Sequence, residues 1–240
     1  MAAGWTSPDA RTAPSLVPGR LHLWRVDLDG PDARTVATTG GHDLSVEERK
    51  RVARFRSPED ARRWAVSRVA LRRILARYLD EEPAALVFEL GPHDKPGLAG
   101  PTGRDLRFNL SHSAAVALVA VSVGHPVGVD VERIRNDLDV LALAQRALPA
   151  RAVEELVSAP LSVRTRAFFR LWVRHEASVK CLGTGLGTES VDDDAAGPAV
   201  EDVALGIGYA GALAVGAGGH GPRAEGWDPA RVSYWEWAAG

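Results

Sequence analysis

Asp130 and Glu132 stand two residues apart in Val127-Gly128-Val129-Asp130-Val131-Glu132, a stretch that reads as a strand. Alternate residues on a strand share a face and lie about 6.5–7 Å apart. Both carboxylates therefore point one way, and Val129 and Val131 point the other. Farther along, Trp172-Val173-Arg174-His175-Glu176-Ala177-Ser178-Val179-Lys180 reads as a helix. On it, Glu176 and Lys180 are neighbours one turn apart. Three carboxylates beside a lysine suit a hard cation, Mg²⁺ above all, that holds a phosphate-bearing substrate. Taken alone, the acid pair is more often a solvated strand face, and the Glu–Lys pair more often a helix surface. A third segment ahead of the acids, Phe108-Asn109-Leu110-Ser111-His112-Ser113, favours the chemical reading.

With these three segments in this order, the chain resembles the Sfp-type 4′-phosphopantetheinyl transferase family. That family's pattern is a Ser-His-Ser segment, a Gly-x-Asp-x-Glu strand, and a helix reading Trp-x-x-Lys-Glu-x-x-x-Lys. A following Gly-x-Gly-Leu is matched by Gly183-Thr184-Gly185-Leu186. The resemblance covers roughly residues 20–215. It implies an α+β fold of two similar α/β subdomains, a pseudo-twofold pair with the active site in the cleft between them. It also implies transfer of 4′-phosphopantetheine from coenzyme A to a serine of an acyl or peptidyl carrier protein, with release of 3′,5′-adenosine bisphosphate.

The resemblance assigns roles position by position. Asp130, Glu132 and Glu176 match the metal-binding acids. Glu176, or a water held by the metal, is the candidate base for the serine proton. Lys180 matches the lysine that contacts the pyrophosphate. Ser111 and His112 match contacts to the adenosine phosphates. Lys95 matches a lysine of a Gly-Lys-Pro segment, although Asp94 stands here in place of the glycine. Arg49 and Arg51 lie near a basic pair on the early helix, and Arg63 is a further candidate. Residues 45–77 carry eleven Lys/Arg against four Asp/Glu, a patch that could receive the 3′-phosphate of coenzyme A, although most of these arginines read as an ordinary solvated helix face. One departure is His175, where the family has lysine. If its charge holds the pyrophosphate, activity should fall as pH rises through its pKa; if it packs the helix, the pH profile should keep its shape.

Composition sets the outer bounds. The 240 residues can bury a sizeable core, and 45% are apolar. A net charge of −2 argues against a generic nucleic-acid or membrane binder. The single cysteine, Cys181, excludes an internal disulfide and reads as a packing residue. Of the 29 basic residues only three are lysines, so Lys95 and Lys180 stand out. No signal-peptide core and no long apolar run is present. A soluble cytoplasmic monomer is expected, with no membrane or nucleic-acid partner.

The elements that must position these residues follow from pattern. Residues 1–18 read as a flexible leader, 19–126 as an N-terminal subdomain and 127–240 as a C-terminal one. A strand is expected at Leu21–Val26 and a loop from Gly30 to Gly41. Ser45 with Glu48 signals a capped helix to about Phe55, and Ser57-Pro58 opens another to Leu79. Leu86–Glu89 reads as a strand and Gly91–Gly103 as a loop. Arg107–Asn109 is a further strand, and Ala115–Val123 a buried one. Helices are expected at about 138–147, 151–158 and 163–182, the last with a stripe of Phe168, Leu171, Trp172, Val179 and Leu182. Strands follow at 202–209, 211–216 and 231–237, with Asp192–Asp194 and Gly216–Pro222 as loops.

Two other function classes compete. A non-catalytic coenzyme A- or carrier-binding module is disfavoured by the three retained acids. A nucleic-acid binder using the arginine-rich helix is disfavoured by net charge and by the lack of aromatic stacking motifs. Carriers of secondary metabolism are the favoured partners, docking on residues 138–160.

Overall fold

The computed structural model describes residues 5–7, 14–91, 93, 95–100, 105–184, 197–217 and 229–238. Asp94, Gly185, Leu186, the Asp192–Asp194 run and most of the Gly216–Pro222 stretch lie outside the described residues.

In chain order the first half contains β1 (Leu21–Asp27), α1 (Pro31–Thr39), α2 (Val46–Val52), α3 (Pro58–Leu79), β2 (Phe88–Leu90), β3 (Pro96–Leu98), β4 (Leu106–Ser113) and β5 (Val116–Val123). The second half contains β6 (Val127–Arg133), α4 (Val140–Ala147), α5 (Ala150–Ser158), α6 (Leu161–Leu182), β7 (Ala199–Asp202), β8 (Tyr209–Val215) and β9 (Val232–Glu236). The class is α+β, as expected.

Two sheets form the frame. One has the order β4-β5-β1-β9, the other β6-β8-β7, and β2-β3 is a separate hairpin. β9 pairs in parallel with β1, Leu21 opposite Val232, so the last strand joins the first sheet. Thr6, within the expected leader, hydrogen-bonds to β9 beyond it.

The period of two along each strand builds four layers. On β1 and β5, Trp24, Val26, Val119 and Val121 pack against Leu71, Ile74 and Leu75 of α3. The opposite faces, with Leu21, Leu23, Leu118 and Ala120, meet Val127, Val129 and Val131 of β6 and Leu213 and Val215 of β8. Beyond that sheet, Ala212 and Ala214 pack on Val173, Ala177 and Cys181 of α6. β5 is thus covered on both faces, which explains its continuous apolar run.

Several expectations need correction. The span from Gly30 to Gly41 is mostly helix, started by Pro31 at its first turn and held by buried Ala33 and Val36. Its Gly, Thr and Pro content reads as loop, but contact with α3 overrides propensity. Gly91–Gly103 includes β3, which pairs with β2. Strand 202–209 lies earlier, at Ala199–Asp202, opposite the end of β8. On α6, Leu182 is 40% exposed, and Phe169, Val173, Ala177 and Cys181 take the buried stripe.

Candidate active site

Gly128 decides how closely α6 can approach β6. A Cβ at this position would lie 2.1 Å from the Ala177 carbonyl oxygen and 2.4 Å from the Cys181 nitrogen. Both are backbone atoms, so only glycine lets the helix lie this tightly on the strand. The consequence appears two residues along the strand, at Asp130. Lys180 Nζ reaches Asp130 Oδ1 at 2.6 Å and Ser111 Oγ at 3.2 Å.

The Ser-His-Ser segment works through the same alternation. Asn109, Ser111 and Ser113 share one face of β4 and reach across to β6. Asn109 Oδ1 accepts from the Val129 amide at 2.8 Å, Ser111 Oγ donates to Asp130 Oδ1 at 2.7 Å, and Ser113 Oγ donates to Glu132 Oε2 at 2.7 Å. Ser113 Oγ also accepts from the Arg133 amide at 3.1 Å. Side chains thus link two strands that belong to different sheets. His112, on the alternate face, is exposed at the cleft.

Asp130 is 3% exposed and Glu176 is 8% exposed. Asp130 Oδ2 and Glu176 Oε1 are buried with no hydrogen-bond partner among the described residues. Burial, then the Asp130 charge, pushes the Glu176 carboxyl above its ordinary range despite Lys180. Burial also raises Glu132, and Ser113 opposes that shift. Crowded carboxylates with unpartnered oxygens are the donor set a hard divalent cation needs. Among the described residues no three acids close into a metal cluster by themselves. Asp130 is instead held by Lys180 and Ser111, and Glu132 by Ser113.

Ser111, His112, Asp130, Glu132, Glu176 and Lys180 line a cleft of about 680 Å³. Its other wall comes from α2, α3 and the β2-β3 hairpin: Arg51, Trp64, Arg68, Phe88, Leu90 and Pro96. The Arg51 guanidinium lies 5.1 Å from the Trp64 ring centre, and Arg68 lies 5.0 Å from that of Phe88. One wall is acidic with a single lysine; the other is aromatic and cationic.

Comparison with known proteins gives the arrangement its relatives. A model described as "4'-phosphopantetheinyl transferase, N-terminal" matches residues 37–124, and one described as "4'-phosphopantetheinyl transferase superfamily" matches residues 126–202. The chain is 38% identical over 175 residues to the 4′-phosphopantetheinyl transferase HetI of Nostoc sp., a match covering 72% of each chain. The chain belongs to the 4′-phosphopantetheinyl transferase superfamily. It is also 33% identical over 159 residues to the transferase psf-1 of Bacillus pumilus, covering 66% of each chain. Identity to Sfp of Bacillus subtilis is 28% over 143 residues, covering 60% of this chain and 62% of Sfp.

Of the residues singled out in sequence, this transferase gathers Arg51, Ser111, His112, Asp130, Glu132, Glu176 and Lys180 around one cleft. It places three others elsewhere. Arg49 Nη1 donates to the Leu44 carbonyl, and the residue lines a separate small cavity between α1, α2 and α3. Arg63 pairs with Asp29 at 2.5 Å and Glu59 at 2.6 Å. Lys95 Nζ donates to the carbonyls of Cys181 at 3.0 Å and Val127 at 3.3 Å, tying the hairpin to the C-terminal end of α6. His175 is half-buried, is not among the cleft-lining residues, and has a pKa lowered by burial, which favours the packing role. Cys181 is buried and its thiol is pushed up to about 11, chiefly by burial. Sequence reasoning passed over Trp64, Arg68, Phe88 and Ser113. Ser113 alone had a signal, its place two residues after Ser111. Among the described residues no helix is long and apolar enough to cross a membrane.

Proposed function

We propose that this cleft moves the 4′-phosphopantetheinyl group from coenzyme A to a serine of an acyl or peptidyl carrier protein. The observation that carries this reading is the convergence of Ser111, Asp130, Glu176 and Lys180, from three elements, opposite the Arg51–Arg68 wall.

The carrier's serine oxygen forms a bond to the phosphorus that bears pantetheine. The bond from that phosphorus to the bridging oxygen breaks, and 3′,5′-adenosine bisphosphate leaves. Glu176, beside the cleft acids, is placed to take the serine proton. Lys180 faces the leaving phosphate and offsets its charge. Asp130, Glu132 and Glu176 would hold Mg²⁺, which supplies neutralisation of the pyrophosphate when bound. His112, Arg51 and Arg68 anchor the nucleotide end. In this reading the reacting pyrophosphate lies at the acids, so the cationic wall meets the remote 3′-phosphate.

The fold reading behind this is a pseudo-twofold pair of subdomains, 19–126 and 127–240, with the active site between them and residues 1–18 as a leader. The enzyme acts as a cytoplasmic monomer on carriers of secondary metabolism, which dock near residues 138–160. The test is mass spectrometry of an apo carrier incubated with the enzyme, coenzyme A and Mg²⁺. A gain of one phosphopantetheine on the serine supports the reading. An unmodified carrier alongside measurable coenzyme A binding leaves a binding module.

A further inference from the structure

The cationic wall of the cleft contains two glutamates, exposed Glu47 and buried Glu48, unexpected residues on a surface that receives a polyanion. Glu48 stands at the third position of α2 and closes its capping box with Ser45. It is 8% exposed. Its Oε1 accepts from Arg68 Nε at 2.8 Å and is paired with Arg68 Nη2 at 2.7 Å. Its Oε2 accepts from Arg72 Nε at 2.6 Å and from the Ser45 amide at 2.9 Å. Arg72 is 2% exposed, and its Nη1 donates to the carbonyls of Pro83 at 2.8 Å and Leu86 at 2.9 Å. Phe88 lies against both guanidiniums, 5.0 Å from Arg68 and 4.9 Å from Arg72.

Arg68 is therefore held along its Nε–Nη2 edge by Glu48 and on one face by Phe88. Its Nη1 makes no hydrogen bond to a described residue, and Arg68 lines the cleft. Two arginines on one carboxylate leave a net positive charge, so Glu48 does not cancel the attraction for a phosphate. Burial would raise the Glu48 carboxyl, but the Ser45 hydrogen bond and the Arg68 and Arg72 charges hold it below its usual range. A free arginine loses considerable rotamer entropy when it captures a phosphate; one already held in place loses less.

We infer that Glu48, anchored through Arg72, is a positioning residue that fixes Arg68 for the remote phosphate of the donor and so sets the preference for coenzyme A over a donor lacking that phosphate. This rests on reading the cleft as the coenzyme A site. Glu48 itself touches no donor atom; it acts through Arg68.

The experiment compares three full-length variants with the native enzyme. Glu48→Gln keeps shape and can still close the capping box, but removes the charge that holds Arg68. Ser45→Ala breaks the cap and leaves the arginine contacts. Arg68→Lys keeps the charge and loses the fork. Each is assayed for KM and kcat with coenzyme A and with 3′-dephospho-coenzyme A, for coenzyme A binding by calorimetry without carrier, and for Tm. Glu48→Gln and Arg68→Lys should raise the KM and Kd for coenzyme A by about tenfold, with kcat within about twofold. Their KM for 3′-dephospho-coenzyme A should stay within about twofold of native. Ser45→Ala should lower Tm and leave both KM values unchanged.

An unchanged KM for coenzyme A in Glu48→Gln overturns the inference. So does a rise in Ser45→Ala equal to that in Glu48→Gln, or an equal loss for both donors. If Glu48→Gln does not fold, the Arg68→Lys and Ser45→Ala results decide by the same criteria. A native enzyme that binds no coenzyme A would instead sink the reading of the cleft, which separates the two failures.

Discussion

Ser113 Oγ, on β4, donates to Glu132 Oε2 on β6 at 2.7 Å while accepting the Arg133 amide at 3.1 Å. The hydroxyl thus sets the carboxylate's direction relative to its own strand. Ser113→Ala should leave the fold intact and free Glu132 to rotate. A hydrogen bond to a charged group contributes about 1.5–3 kcal/mol. The Mg²⁺ concentration for half-maximal transfer should therefore rise about tenfold or more. Calorimetric titration of the enzyme with Mn²⁺ should show the same weakening without carrier present. Unchanged metal affinity would make Ser113 a purely structural link.

Asp130 accepts from both Ser111 and Lys180 and keeps one buried oxygen without a partner among the described residues. Asp130→Asn preserves volume and removes the charge. Transfer should drop by about two orders of magnitude or more, as for loss of a transition-state electrostatic contact. Circular dichroism should remain native-like. Near-normal turnover by the folded variant in saturating Mg²⁺ would contradict the metal assignment.

Gly128→Ala tests the close approach of α6. The added Cβ would meet backbone atoms at 2.1 and 2.4 Å, which no side-chain rotation can relieve. Overpacking of this kind costs about 1–3 kcal/mol, and backbone contact puts this site at the upper end or beyond. Tm should fall, and surviving protein should lose activity because Glu176 and Lys180 move off Asp130. A variant with native Tm and native rate would show that helix placement is not set by this glycine.

His22 gives the protein a pH-dependent stability separate from catalysis. It is 3% exposed, with Nδ1 at 2.8 Å from the Tyr78 hydroxyl, which also accepts from Trp24 Nε1 at 2.8 Å. Burial, helped by the Arg20 charge, pushes its pKa down to about 4. The unfolded chain binds the proton near pH 6.5, so stability from neutral His22 is fully present above that pH. It is lost as pH falls from about 6.5 toward 4, by at most about 3 kcal/mol. Urea midpoints measured across this window should decline for the native protein and flatten for His22→Gln. Equal slopes would assign the decline to other groups.

Local signals survived the passage from sequence to structure best. The Ser45–Glu48 box and Pro58 at the start of α3 appear where expected, because both depend on residues within one turn. α1 was hidden because its stability comes from Ala33 and Val36 packing on a helix farther along the chain. The acids and Lys180 were legible because strand and helix spacings set their directions. The arginines were not. Arg63 and Arg68 differ by about 140° around α3, so one turns to Asp29 and the other to the cleft. Which arginine is held at the cleft depends on Phe88. Its strand is expected at Leu86–Glu89, but the packing of that strand against α3 is a long-range contact that pattern does not reveal.

The parallel pairing of β9 with β1 bears on how the chain is made. Residues 232–236 supply the strand beside β1 in a sheet whose other members end at Val123. During synthesis, β1 therefore waits with one edge uncovered while more than a hundred residues are added. A polypeptide cut at the Gly124–Pro126 turn would likewise leave that edge bare on the first piece and strand β9 on the second. The two halves are stitched together by topology, and the first sheet is completed only when the last strand arrives.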